Sequence, residues 1–110
     1  MADERKPVEI PAELAARIEE LRSKYREVLP DRLAELRAAV QQARAQPGSL
    51  PEALAVAHRL AGTAGSYGFH RFGEACGAVE EALASTTLSP AGWSQVDAAF
   101  AEAEASVAAA

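Results

Sequence analysis

At 110 residues the chain is sized for one domain with a single, rather thin core. Eleven basic side chains against 16 acidic ones give a formal charge of −5. Such a surface repels a phosphate backbone and no basic, aromatic-studded patch offsets it, so nucleic acid is not an expected partner.

The lone cysteine, Cys76, leaves no internal disulfide and no multi-cysteine metal site to expect. The apolar fraction of 49% owes much to alanine, and only 5% of residues are aromatic. Alanine-rich segments laced with Glu and Arg favour helix, and no alternating, β-branched run argues for a strand. The start, from Met1 to Pro7, has no apolar run of the kind a secretory leader needs. No segment is apolar for long enough to cross a bilayer. A soluble, cytoplasmic, monomeric protein without a membrane partner is therefore the expectation.

Residues 1–10 are expected to be loosely ordered, with residues 11–110 forming a helical bundle. The first helix begins near Pro11 and shows an apolar stripe of Leu14, Ile18, Leu21 and Tyr25. Leu29-Pro30-Asp31 predicts a break, because proline disfavours helix for the residue before it. A second helix shows Leu33, Leu36, Val40 and Ala43, and ends before Gln46-Pro47-Gly48. Ser49-Leu50-Pro51-Glu52 reads as a capping box opening a third helix, which runs to about Tyr67. A fourth shows Phe69, Phe72, Cys76, Val79 and Leu83. The last opens with Ser89 as cap and Pro90 in the first turn, then displays Trp93, Val96, Phe100, Ala103 and Val107. Amphipathic stripes joined by short connections predict an all-α fold: an antiparallel four-helix bundle with an additional N-terminal helix covering one end.

On a helical wheel the third helix has an unusual outer face. Ala53, Ala57, Leu60, Ala64 and Tyr67 form the core side, and His58 points almost the opposite way. Around His58 lie Leu54, Ala55, Ala61, Gly62 and Gly65, where a solvated face would carry Glu, Lys or Gln. Each helical glycine costs about 1 kcal/mol relative to alanine, so close approach of another surface is the expected reason for them. On the fourth helix Gly73, Gly77 and Glu80 run beside the core stripe. If the two helices form a hairpin about Gly65–Gly68, Glu80 returns to the level of His58. Its carboxylate can then accept the Nδ1 proton, fixing the tautomer and leaving Nε2 with an outward lone pair.

A single histidine on a helix is ordinarily a solvated polar residue, and Cys76 reads as small core filler. The string from Ala57 to Phe69, His58-Arg59-Leu60-Ala61-Gly62-Thr63-Ala64 followed by Gly68, singles His58 out. It resembles the signature of histidine-containing phosphotransfer domains, His-x-Leu-Lys-Gly-x-Ala/Ser with a second glycine six residues after the first. Cys76-Gly77-Ala78-Val79-Glu80 is similar to the family's Cys-x-x-Leu-Glu segment. The resemblance implies a phosphoryl carrier, not an enzyme with kinase activity of its own. His58 would be the phosphoacceptor and Glu80 would orient its ring. Leu54, Ala55, Arg59, Ala61, Gly62 and Gly65 would form the docking surface for a response-regulator receiver domain or a histidine kinase.

The family's usual lysine is Ala61 here. Opposite unit charges about 6 Å apart in water attract by only ~0.7 kcal/mol, so its loss predicts a modest penalty that Arg59 or Arg71 can offset. The sequence has neither a carboxylate cluster near His58 nor a nucleotide-binding loop. No cofactor of its own is expected, and Mg²⁺ would come from the partner receiver. Two other readings differ in kind. A bundle that has lost phosphotransfer and acts as an adaptor is argued by the absent lysine alone. A di-iron bundle needs paired Glu-x-x-His motifs, which are missing; only His70 and Glu74 share a face.

Overall fold

The computed structural model describes residues 10–87 and 89–110. Within them the chain forms four α-helices: α1 (Ala12–Ala45), α2 (Leu50–Ser66), α3 (His70–Ser85) and α4 (Gly92–Ala109), with a 3₁₀ turn at Pro47–Ser49. Helix α2 packs against α3 and α3 against α4, while α1 closes the bundle along α2 and touches α4 more lightly. The largest fully buried side chains are Phe72, Leu29, Leu36, Leu60, Leu83, Val79, Val96 and Cys76. All but Leu29, which the sequence placed at the expected break, come from the predicted stripes. The expectation of a loosely ordered stretch falls almost wholly on residues 1–9, outside the described residues.

The predicted break at Pro30 does not occur, and the expected N-terminal helix is the front of a single 34-residue α1 with Pro30 inside it. Proline removes one helical hydrogen bond and crowds the carbonyl four residues back, at a cost of about 3 kcal/mol. Here Pro30 is exposed while Leu29 and Leu33 on either side are buried, 1% and 9% exposed. Burying one such side chain contributes about 1.5–3 kcal/mol, so anchoring both flanks of the proline offsets its cost. The stripe of the first turns is also not core: Leu14 is 50% and Ile18 39% exposed. Burial begins at Tyr25, whose ring stacks on Tyr67 at 4.8 Å between centroids and leans on Phe69 at 5.6 Å.

The capping box at Ser49 does not form. The 3₁₀ turn runs straight into α2, leaving Ser49 at φ −88, ψ 0 without a side-chain cap bond. A capping serine needs an extended backbone, which this turn denies it. Helix α4 likewise starts two residues after Pro90, although the Ser89 hydroxyl still accepts from the Ala91 amide at 3.2 Å.

At the far end of α2 the turn follows the glycine. Gly68 has φ +85. Its amide donates to the Gly65 carbonyl at 3.1 Å and that of Phe69 to the Ala64 carbonyl at 2.9 Å. This is a Schellman ending, for which a left-handed residue one past the cap is required and glycine is cheapest. From α1, the Arg22 guanidinium donates to the Tyr67 carbonyl at 3.2 Å, tying the same turn to the first helix.

Candidate functional site

The α2–α3 hairpin brings His58 and Glu80 together. Nδ1 of His58 lies 3.0 Å from Oε2 and 3.2 Å from Oε1 of Glu80. The histidine side chain is 78% exposed and the glutamate 35%. With Nδ1 turned to the carboxylate, Nε2 stands at the opposite corner of a ring that is mostly in solvent. A carboxylate on Nδ1 favours the tautomer that protonates it, which leaves the Nε2 lone pair as the accessible nucleophile.

Close approach of the two helices depends on one glycine more than the others. A Cβ added to Gly73 would stand 3.0 Å from the Ala61 carbonyl oxygen and 3.3 Å from the Gly65 amide nitrogen. A side chain there would press on the α2 backbone, and glycine lets α3 lie close against it. Gly62, Gly65 and Gly77 differ, since a Cβ at each would find nothing within 4 Å. The fold itself does not require them to be glycine.

The surface around His58 is small and partly apolar. Ala55 and Gly62 are exposed, while Leu54, Ala61 and Gly65 are half-buried. Beside them Ala61, Gly65, Gly73, His70 and Glu74 line a shallow groove of about 250 Å³. Arg59, the charged residue assigned to this surface, is ion-paired with Glu35 of α1. Glu35 also holds Arg32, at 3.2 Å. Arg71 reaches across to Glu102 of α4 at 3.7 Å. Both arginines expected to stand in for the missing lysine are thus engaged with other helices. Helical patterning of α2 alone could not place Glu35, because that pairing depends on which helix lies alongside.

Cys76 is buried in the core, and burial pushes its thiol up to about 12, so no thiolate is available near neutrality. Among the described residues no group of three or more His, Cys, Asp or Glu side chains is placed to hold a metal ion. No helix among them is long and apolar enough to cross a membrane.

A family model described as Hpt domain matches residues 20–109. The chain belongs to the Hpt domain family, and its class is that of phosphorelay signalling modules, helical phosphocarriers rather than enzymes. Members of the family interact with receiver domains and histidine kinases. Comparisons with curated proteins and with solved structures found no match.

Proposed function

We propose that this chain carries a phosphoryl group on Nε2 of His58, taking it from and returning it to receiver domains of response regulators or a histidine kinase. The observation that carries the reading is the exposed imidazole whose Nδ1 faces the Glu80 carboxylate at 3.0 Å. Nε2 attacks the phosphorus of the receiver's acyl phosphate in line. The N–P bond forms as the bond from phosphorus to the acyl oxygen breaks, and the receiver's carboxylate leaves with the electron pair. The ring becomes cationic with its proton still on Nδ1, where Glu80 is placed to balance the charge. The reverse step runs over the same geometry.

Phosphoryl transfer needs chiefly positioning and charge neutralisation. On this reading Mg²⁺ and the remaining electrostatic stabilisation belong to the receiver. The domain contributes a nucleophile held at a fixed angle on a rigid helix. Leu54, Ala55, Ala61, Gly62 and Gly65 form the floor on which the receiver docks. The open space over Gly62 and Gly65 supports that assignment, because nothing in the chain's own packing calls for glycine at either place.

The test is transfer from a panel of phosphorylated receivers and kinases of the same genome to wild type and to His58→Gln. Acid-labile label on the wild type and none on the variant is the expected result. Equal labelling of both would overturn the proposal.

A further inference from the structure

The first turns of α1 carry apolar side chains that the bundle leaves uncovered. Ile10, Leu14 and Ile18 are 55%, 50% and 39% exposed, and every residue from Pro11 to Glu20 is exposed. The stripe continues into half-buried Leu21 and buried Tyr25. At the junction Ile18, Leu21, Arg22, Ser66 and Tyr67 line a cleft of about 120 Å³. Leu14, Ile18, Leu21 and Tyr25 follow the d-a-d-a spacing of a helix made to pair with another helix. The Hpt match begins at residue 20, so Ile10, Leu14 and Ile18 stand outside the span it covers. Neither the core nor the matched family region accounts for them.

The charges beside this seam are one-sided. With Ile18 at position a, Arg17 and Lys24 occupy g and Arg22 occupies e, while Glu13, Glu19 and Glu20 fall behind them at b and c. The three cations are 57%, 64% and 42% exposed. Their partners are Glu20, shared by Arg17 and Lys24 at 3.1 Å each, and Glu19, 3.4 Å from Arg22, whose guanidinium also donates to the Tyr67 carbonyl at 3.2 Å. Exposed pairs of this kind contribute about 0–1 kcal/mol and exchange partners readily.

A second copy of the chain is a poor occupant. Parallel pairing would set Arg17 against Arg22 of the other copy, and antiparallel pairing would oppose the g cations to one another and Arg22 to its own equivalent. We propose that Leu14, Ile18 and Leu21, flanked by Arg17, Arg22 and Lys24, form a docking seam for an amphipathic helix of another protein whose apolar stripe is bordered by Asp and Glu. The seam begins where Ile18 and Leu21 meet Ser66 at the end of α2, about 12 Å from His58 by helix rise, and runs on away from it through Leu14.

The probe is a synthetic helix of about three heptads with Leu at a and d and Glu at e and g, titrated into the full ¹⁵N-labelled chain. Its counterpart carries Lys at e and g. The Glu peptide is expected to shift amides between Leu14 and Lys24, to bind more weakly as salt rises, and to bind His58→Gln as well as wild type. Ile18→Glu should weaken it about tenfold or more without altering the thermal melt, since Ile18 is outside the core. Equal binding of both peptides, or of neither, overturns the proposal. So does a wild-type dimer that Ile18→Glu converts to monomer, or Ile18-dependent binding to anionic vesicles in place of the peptide.

Discussion

The Glu80 carboxylate lies 3.0 Å from Nδ1 of His58, joining side chains 22 positions apart across the α2–α3 hairpin. A hydrogen bond to a charged group contributes about 1.5–3 kcal/mol, less where solvent competes as it does here. Glu80→Ala is therefore expected to slow phosphotransfer by about tenfold, and by no more than about a hundredfold, with the melt little changed. Ring ¹⁵N shifts should show His58 losing its preference for the Nδ1–H tautomer. An unchanged tautomer ratio together with an unchanged rate would remove Glu80 from the mechanism.

Ala61 occupies the position where the family pattern carries lysine, and Arg59 and Arg71 are drawn to Glu35 and Glu102. Ala61→Lys should raise the transfer rate or lengthen the lifetime of the phosphorylated form by a few-fold, because an exposed cation near a phosphoryl group gains about 1 kcal/mol. The gain should shrink as ionic strength rises. Rates that fall at every salt concentration would mean that the docking partner requires a small residue at Ala61.

Gly62 separates folding from docking, since a Cβ there meets nothing within 4 Å. Gly62→Ala is expected to stabilise the domain by up to about 1 kcal/mol, raising the melting temperature by several degrees. Gly62→Gln should keep the fold yet cut transfer by orders of magnitude, because in-line attack tolerates little displacement. A Gln variant that accepts phosphate at the wild-type rate would place the receiver on another face.

Pro30 sits exposed within α1 and denies the Arg26 carbonyl its helical partner. Pro30→Ala should stabilise the domain, by less than the ~3 kcal/mol cost of an interior proline because the unfolded chain also gains freedom. Denaturant melts of the variant measure it. A loss of stability would show that the bundle depends on the geometry that proline imposes there.

That same proline marks where sequence reasoning was misled. A local rule ends a helix before proline, whereas Leu29 and Leu33 bury themselves on both sides of Pro30 and carry the helix through. The capping serine at Ser49 failed for a related reason: its motif is local, and the 3₁₀ turn that includes Ser49 holds its backbone away from the extended capping conformation. The stripes of Leu33–Ala43, Ala53–Ala64 and Phe72–Leu83 were legible because their periodicity directly reports which face is covered. Leu14 and Ile18 have the same periodicity and no cover, since a stripe says that a face is apolar and not what lies against it. The meeting of His58 and Glu80 followed from the hairpin about Gly68. The engagement of Arg59 by Glu35 could not be anticipated, for it needs the neighbour relation of α1 and α2.

The most direct test of the central claim is the position of phosphorus on the ring. The ¹⁵N-labelled domain is phosphorylated by its receiver and examined by ³¹P–¹⁵N correlation. Phosphorus coupled to Nε2 of His58, with Nδ1 protonated, is the predicted result. Coupling to Nδ1, or phosphorus on His70 or on a hydroxyl or carboxylate oxygen, would contradict the account.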